Sequence, residues 1–204
     1  ANKLRVTAVG ALPEQLDAAV EQLFGNWKKP AAPAFVRHIP KFQDVPAARF
    51  DAIARDKPNA VVQFDHQIAL NEEDPDAIAL QVAVHIFGSG GLESRLNERL
   101  RQKEGLTYGS NAWLNVGYWG DAAHIGFYAT YAPDKRDRVI AVIQEEVRRM
   151  TESGITAAEL ARAKTDMAEA RKRSRSDIGN LAGTVSGLAE QGETWARPQR
   201  RDET

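Results

Sequence analysis

The sequence predicts an α+β fold: a two-layer α/β sandwich with a mainly antiparallel sheet and helices packed on one face. Two observations carry this. The elements run βα, linker, β, αα, ββ, αα, so strands and helices are partly segregated. Two strand-like runs stand side by side in the middle of the chain, joined by a short turn that marks a hairpin.

Each element follows from local pattern. Leu4-Arg5-Val6-Thr7-Ala8-Val9 alternates and predicts a strand. Gly10 breaks it, Pro13 suits the first turn of a helix, Leu16, Val20 and Leu23 recur at helical spacing, and Gly25 ends the run. Residues 28–59 are rich in Ala, Pro, Lys and Arg without periodicity, a surface linker with one short strand near Phe35-Val36. Ala60 to Leu70 carries β-branched and aromatic residues and predicts a strand. Asp74-Pro75 reads as an N-cap followed by Pro at N1, opening a helix over 76–87 whose Ile78, Leu80, Val82, Val84, Ile86 and Phe87 leave hardly any polar face. The loop Gly88-Ser89-Gly90-Gly91 follows, then a charged helix over 92–103 that Gly105 stops. Strands over 106–116 and 122–132 flank the turn Gly117-Tyr118-Trp119-Gly120-Asp121. Pro133-Asp134 opens a helix with Val139, Ile143, Val147 and Met150 on one face, closed by Gly154. Thr156-Ala157-Ala158-Glu159 is a capping box for a helix reaching Arg173. From Asp177 onward a weak helix and a frayed, charged tail, Arg197 to Thr204, are expected. We expect one domain over 1–180, a weakly structured tail over 181–204, and a chain that is a piece of a longer or processed protein, since it starts Ala1-Asn2-Lys3 without Met.

Composition narrows the function classes. Apolar residues make up 43% and charged residues 27%, an ordinary globular mix. No apolar run approaches the roughly 20 residues of a membrane span. A net charge of −1 argues against a nucleic-acid binder, which would show basic excess. With no cysteine, thiolate metal sites, disulfides and cysteine nucleophiles are excluded.

The chemistry-bearing residues are few. His38, His66, His85 and His124 form no pair one helical turn apart with a neighbouring carboxylate, the arrangement a helical zinc peptidase site needs. His85 reads as a lone core or edge histidine. Gly88-Ser89-Gly90 follows a helix and is not a nucleophile elbow, and the loop lacks the Lys-Ser/Thr end of a phosphate loop. Gly88, Gly90, Gly91 and Gly105 read as structural turn residues. Arg171-Lys172-Arg173-Ser174-Arg175 reads as a solvated helix end complementing the helix dipole.

One segment carries more. Gly90-Gly91, Ser94-Arg95-Leu96 and Leu100-Arg101-Gln102-Lys103-Glu104-Gly105-Leu106-Thr107-Tyr108 together resemble the non-catalytic domain of the pitrilysin/insulysin/mitochondrial-processing-peptidase family of zinc metallopeptidases. The opening Val9-Gly10 through Phe24-Gly25-Asn26-Trp27 and the later Gly154-Ile155-Thr156, Glu159-Leu160 and Ala163-Lys164 look like further family elements, so the resemblance covers most of residues 4–170. It implies a metal-free half that closes with a catalytic companion domain or subunit around an extended peptide. The companion would carry an inverted His-x-x-Glu-His zinc site, which this chain lacks, so no cofactor and no catalytic residue belong to this chain. By motif position, the family's substrate-contacting Arg and Tyr correspond to Arg101 and Tyr108. Gln102 stands where the family often has an acidic residue and is expected to face solvent. A second reading is a non-proteolytic assembly scaffold of the same fold. Export of larger bacterial members and the Ala/Arg-rich composition favour the periplasm, with the cytoplasm as alternative.

Overall fold

A computed structural model of the chain describes residues 4–28, 36–54 and 56–203. They pack as two compact units, residues 39–166 and residues 1–38 with 167–204, where the sequence suggested one domain over 1–180.

In the larger unit, β1 (Ala60–Ala69), β2 (Thr107–Asn115) and β3 (Ala122–Tyr131) form an antiparallel sheet in the order β1-β3-β2. The expected hairpin pairs Asn115 with His124 at its tip. Successive side chains on a strand alternate between faces. On β3, buried Ala123, Ala129 and Tyr131 share one face with Phe127, while exposed His124 and Tyr128 lie on the other. The register places Val62 and Ser110 beside Ala129, and Gln63 and Asn111 beside Tyr128, so one face is apolar and the opposite one polar.

Three helical segments cover the apolar face: α2 (Asp76–Val84), continued by a π-helical turn over His85–Ser89; α3 (Arg95–Asn97), continued by a π-helical turn over Glu98–Lys103; and α4 (Arg136–Ser153). The start of α5 (Ala157–Ser176) is tied to the α2 and α3 segments. Fully buried Leu96 and Leu100 of the α3 segment and Val139 and Val142 of α4 pack with Ala129 and Tyr131. Burying four such side chains is the main local driving force, at about 1.5–3 kcal/mol each. A second apolar cluster, Leu70, Ala77 and Ala123 with Ile68 and Leu80, holds α2 to the other end of the sheet. On α2, Ala77 and Val84 are buried while Ile78, Leu80 and Val82 are only half-buried, so this helix is less enclosed than its composition predicts.

Local caps act as predicted. Asp74 Oδ1 accepts from the Asp76 amide (3.0 Å). In the capping box, Glu159 Oε2 accepts from the Thr156 amide (2.8 Å), and Thr156 Oγ1 accepts from the Glu159 amide (3.2 Å).

The smaller unit corrects several expectations. Residues 4–9 form no strand: alternation selects a face only when a neighbouring strand supplies hydrogen bonds, and among the described residues none does. The short strand at Phe35-Val36 lies partly outside the described residues, and Val36 is in irregular chain. α1 (Leu16–Phe24) ends before Gly25 as expected. Residues 181–204, expected to be weakly structured, lie largely in α6 (Ile178–Gln191) and α7 (Ala196–Glu203). Asp177 caps α6 by accepting from the Asn180 amide (2.8 Å). Buried Arg197 donates to Gln191 Oε1 (2.7 Å), and Arg171 Nη1 donates to the Arg201 carbonyl (2.7 Å). The tail is tied down at both of these points, once through the Arg197 guanidinium and once through the Arg201 carbonyl. Arg175 lies over the Trp195 ring, 5.6 Å from its centroid, so the basic run is more engaged than a solvated helix end. Among the described residues no helix is long and apolar enough to cross a membrane.

Candidate functional site

The segment Gly88 to Tyr108 is built around buried polar groups that its charged composition conceals. Arg95 is 4% exposed and forks onto Glu159, with Nε to Oε1 at 2.7 Å and Nη2 to Oε2 at 2.9 Å. Its Nη2 also donates to the Gly154 carbonyl (2.8 Å). Arg95 and the capping contacts from Thr156 hold the Glu159 carboxyl well below its ordinary range, at about 2. Buried Asn97 bridges the α3 segment to β2: its Nδ2 donates to the carbonyls of Gly91 (3.0 Å) and Ser110 (3.0 Å), and its Oδ1 accepts from Ser110 Oγ (3.1 Å) and the Ser110 amide (3.3 Å). The segment predicted as a charged helix is thus a buried polar joint on one side; sequence reading quoted Arg95 only as part of a motif and gave Asn97 no role.

The glycines have separate reasons. A Cβ on Gly88 would stand 2.6 Å from the Ala112 Cβ, so glycine lets the end of α2 lie directly on β2. Gly105 has φ +60°, the left-handed turn that ends the α3 segment. Gly91 has φ +69°, and a Cβ on Gly90 would crowd the His85 carbonyl.

Arg101 lies on the second π-helical turn, whose wide hydrogen bond runs from the Glu104 amide to the Arg99 carbonyl (3.2 Å). Three arginines occupy this segment. Arg95 is neutralised by Glu159, and Arg99 meets Glu104 (2.9 Å) and Glu145 (2.9 Å). Arg101 is exposed and has no acid partner among the described residues. Tyr108 lies past Gly105 at a bulge in β2, where the register shifts between Thr107 and Gly109. Thr107 Oγ1 pins the bulge, donating to the Thr130 carbonyl (2.6 Å) and accepting from the Gly109 amide (3.1 Å). Tyr108 is 65% exposed, and its hydroxyl has no partner among the described residues. A free guanidinium and a free phenol therefore flank one rigid turn. Gln102 is exposed, as expected, and its amide donates to the Leu92 carbonyl.

The histidines are scattered. His85 Nε2 stands 3.8 Å from Asp166, and His124 Nδ1 stands 3.1 Å from Asp65 on the polar sheet face. Among the described residues no group of three His, Asp or Glu is placed to hold a metal ion, so this donor set does not fit a catalytic zinc.

The family model of the peptidase M16 inactive domain matches residues 1–167. The chain belongs to this family. An uncharacterised zinc protease of Streptomyces coelicolor is 29% identical over 184 residues, covering 90% of this chain and 36% of that protein. A protease structure from Helicobacter pylori superposes with a TM-score of 0.74 at 15% identity, over 96% of this chain and 47% of that one. The M16 inactive domain from Pseudomonas fluorescens gives 0.62 at 19% identity, over 71% of this chain and 34% of that one. The structural likenesses show the shared α+β fold. This M16 domain spans less than half the length of each of these three relatives.

Proposed function

We propose that this M16 domain is the substrate-holding, metal-free half of a zinc metalloendopeptidase, working with a companion domain or subunit that carries the inverted His-x-x-Glu-His zinc site. The observation that supports this is the contrast among three arginines on one segment: Arg95 and Arg99 are tied to carboxylates, and Arg101 is left free. An unpaired guanidinium fork suits the carbonyl oxygens of an extended peptide. The Tyr108 hydroxyl can donate to the peptide oxygen that gains negative charge during water attack. A sheet edge offers main-chain pairing to the same peptide. The zinc of the companion would supply the activated water, and this chain binds and orients the peptide. We assign the complete protein to the periplasm.

The test uses the complete protein and a quenched-fluorescence peptide of unstructured sequence. Arg101→Ala and Tyr108→Phe each lower kcat/KM by roughly 100-fold or more, as loss of a transition-state hydrogen bond does. The isolated chain hydrolyses nothing, with or without added zinc. Chelator-sensitive cleavage by the isolated chain overturns the proposal. Unchanged turnover in both variants overturns it too, in favour of an assembly scaffold.

A further inference from the structure

The far side of the turn between Arg101 and Tyr108 is anchored: Leu106 packs against the core, its amide donates to the Leu100 carbonyl (2.7 Å), and Thr107 is buried. At Gly105, where φ is +60°, a Cβ would meet no atom within 4 Å. The near side, from Arg101 to Gly105, takes its anchor from an ion-pair network. Glu104, immediately before Gly105, accepts a forked pair from Arg138 of α4, at 2.7 Å from Nε and 2.6 Å from Nη2. Arg99 adds a third contact at 2.9 Å. Arg138 and Arg99 both reach Glu145, and Arg99 also approaches Glu146, which is buried on α4 (3.9 Å). The anchor is rigid, since α4 buries Val139 and Val142 completely in the core.

A carboxylate at this position is otherwise out of place. The C-terminal end of a helix carries negative partial charge and disfavours an acid. Hydrogen bonding from Arg138, with the positive charge of Arg99, holds the Glu104 carboxyl below its usual range. Yet Arg138 is 46% exposed, and surface pairs of this kind contribute little to global stability. The network is better suited to orienting the turn than to stabilising the fold.

We propose that Glu104, clamped by Arg138, is the positioning residue that aims Arg101 and Tyr108, an inference that rests on those two side chains contacting substrate. Glu104 touches no substrate; it fixes the turn from which both side chains project.

The experiment compares Glu104→Gln and Arg138→Lys in the complete protein, using the same quenched-fluorescence peptide. Lysine keeps the charge of Arg138 and loses the fork. Both variants lower kcat/KM by roughly 10-fold, mainly through kcat, because misplaced contacts act on the reacting geometry. Adding Glu104→Gln to an Arg101→Ala/Tyr108→Phe background causes no further loss, an outcome that a purely structural role would not give. In hydrogen exchange on this chain, the Leu106 and Gly109 amides of Glu104→Gln exchange about 10-fold faster, while amides of the α4 core do not change. Unchanged exchange at Leu106 and Gly109 overturns the proposal, as does a full additional loss in the doubly substituted background. Should Arg101→Ala and Tyr108→Phe leave turnover intact, the substrate-contact reading fails by itself, and the exchange data still decide whether Glu104 holds the turn.

Discussion

Replacing Glu159 by Gln tests whether the buried joint behind the candidate site is held by charge. The Glu159 carboxyl titrates at about 2 instead of 4.5, first because Arg95 donates to it. At roughly 1.4 kcal/mol per pH unit, that displacement corresponds to at most about 3 kcal/mol. Glu159 retains some water contact, with 17% of its side chain exposed, so the usable part is about 2 kcal/mol. The substitution also leaves Arg95 buried with the Gly154 carbonyl and a weaker amide partner, and breaking a buried pair costs about 3–5 kcal/mol. A loss of about 2–4 kcal/mol at pH 7 is expected, read as a lower urea midpoint at unchanged m-value. The pH dependence has a definite sign. A depressed carboxylate stabilises the fold fully above about 4.5 and loses that contribution as pH falls towards 2. The gap between wild type and Glu159→Gln therefore narrows over that window and closes near its lower end. A variant within about 0.5 kcal/mol of wild type at pH 7, or a gap that does not change with pH, refutes the reasoning.

Two further substitutions separate strain from lost hydrogen bonding. Gly105→Ala places a side chain in open space at φ +60°, so only backbone strain acts, and about 1–2 kcal/mol of destabilisation is expected in urea melts. Asn97→Ala strands the Ser110 amide and the Ser110 carbonyl in a buried joint, while the Gly91 carbonyl keeps Ser94, and costs about 3 kcal/mol by the same measurement, more than Gly105→Ala.

The features legible in the sequence are those whose partners lie nearby. The hairpin strand expected over 122–132, the Asp74 cap and the Thr156–Glu159 box are each settled by residues a few positions apart; the strand ends one residue early, at Tyr131, and the other two are found where expected. The features missed depend on distant partners. Arg95 looks like a surface residue until Glu159 is brought to it, and Asn97 looks like one until Ser110 is. The strand expected at residues 4–9 shows the reverse: alternation is local, and the pairing that would make it a strand is not. For the candidate site, the motif picked out Arg101 and Tyr108. Pattern alone could not tell the free arginine from its bound neighbours, because that depends on where Glu145 and Glu159 end up.

The wide turn over Glu98–Lys103 has a consequence for how this surface can vary. Each residue in an α-helix advances the side-chain direction by about 100°. A π turn is in effect one residue inserted into that count, so residues beyond it fall out of phase with Arg95 and Arg99. The bearing of Arg101 is therefore governed by segment length as well as by neighbouring chemistry. Removing a single residue there would restore the regular helix and swing the guanidinium to another quarter of the surface, with every side chain of the site still present.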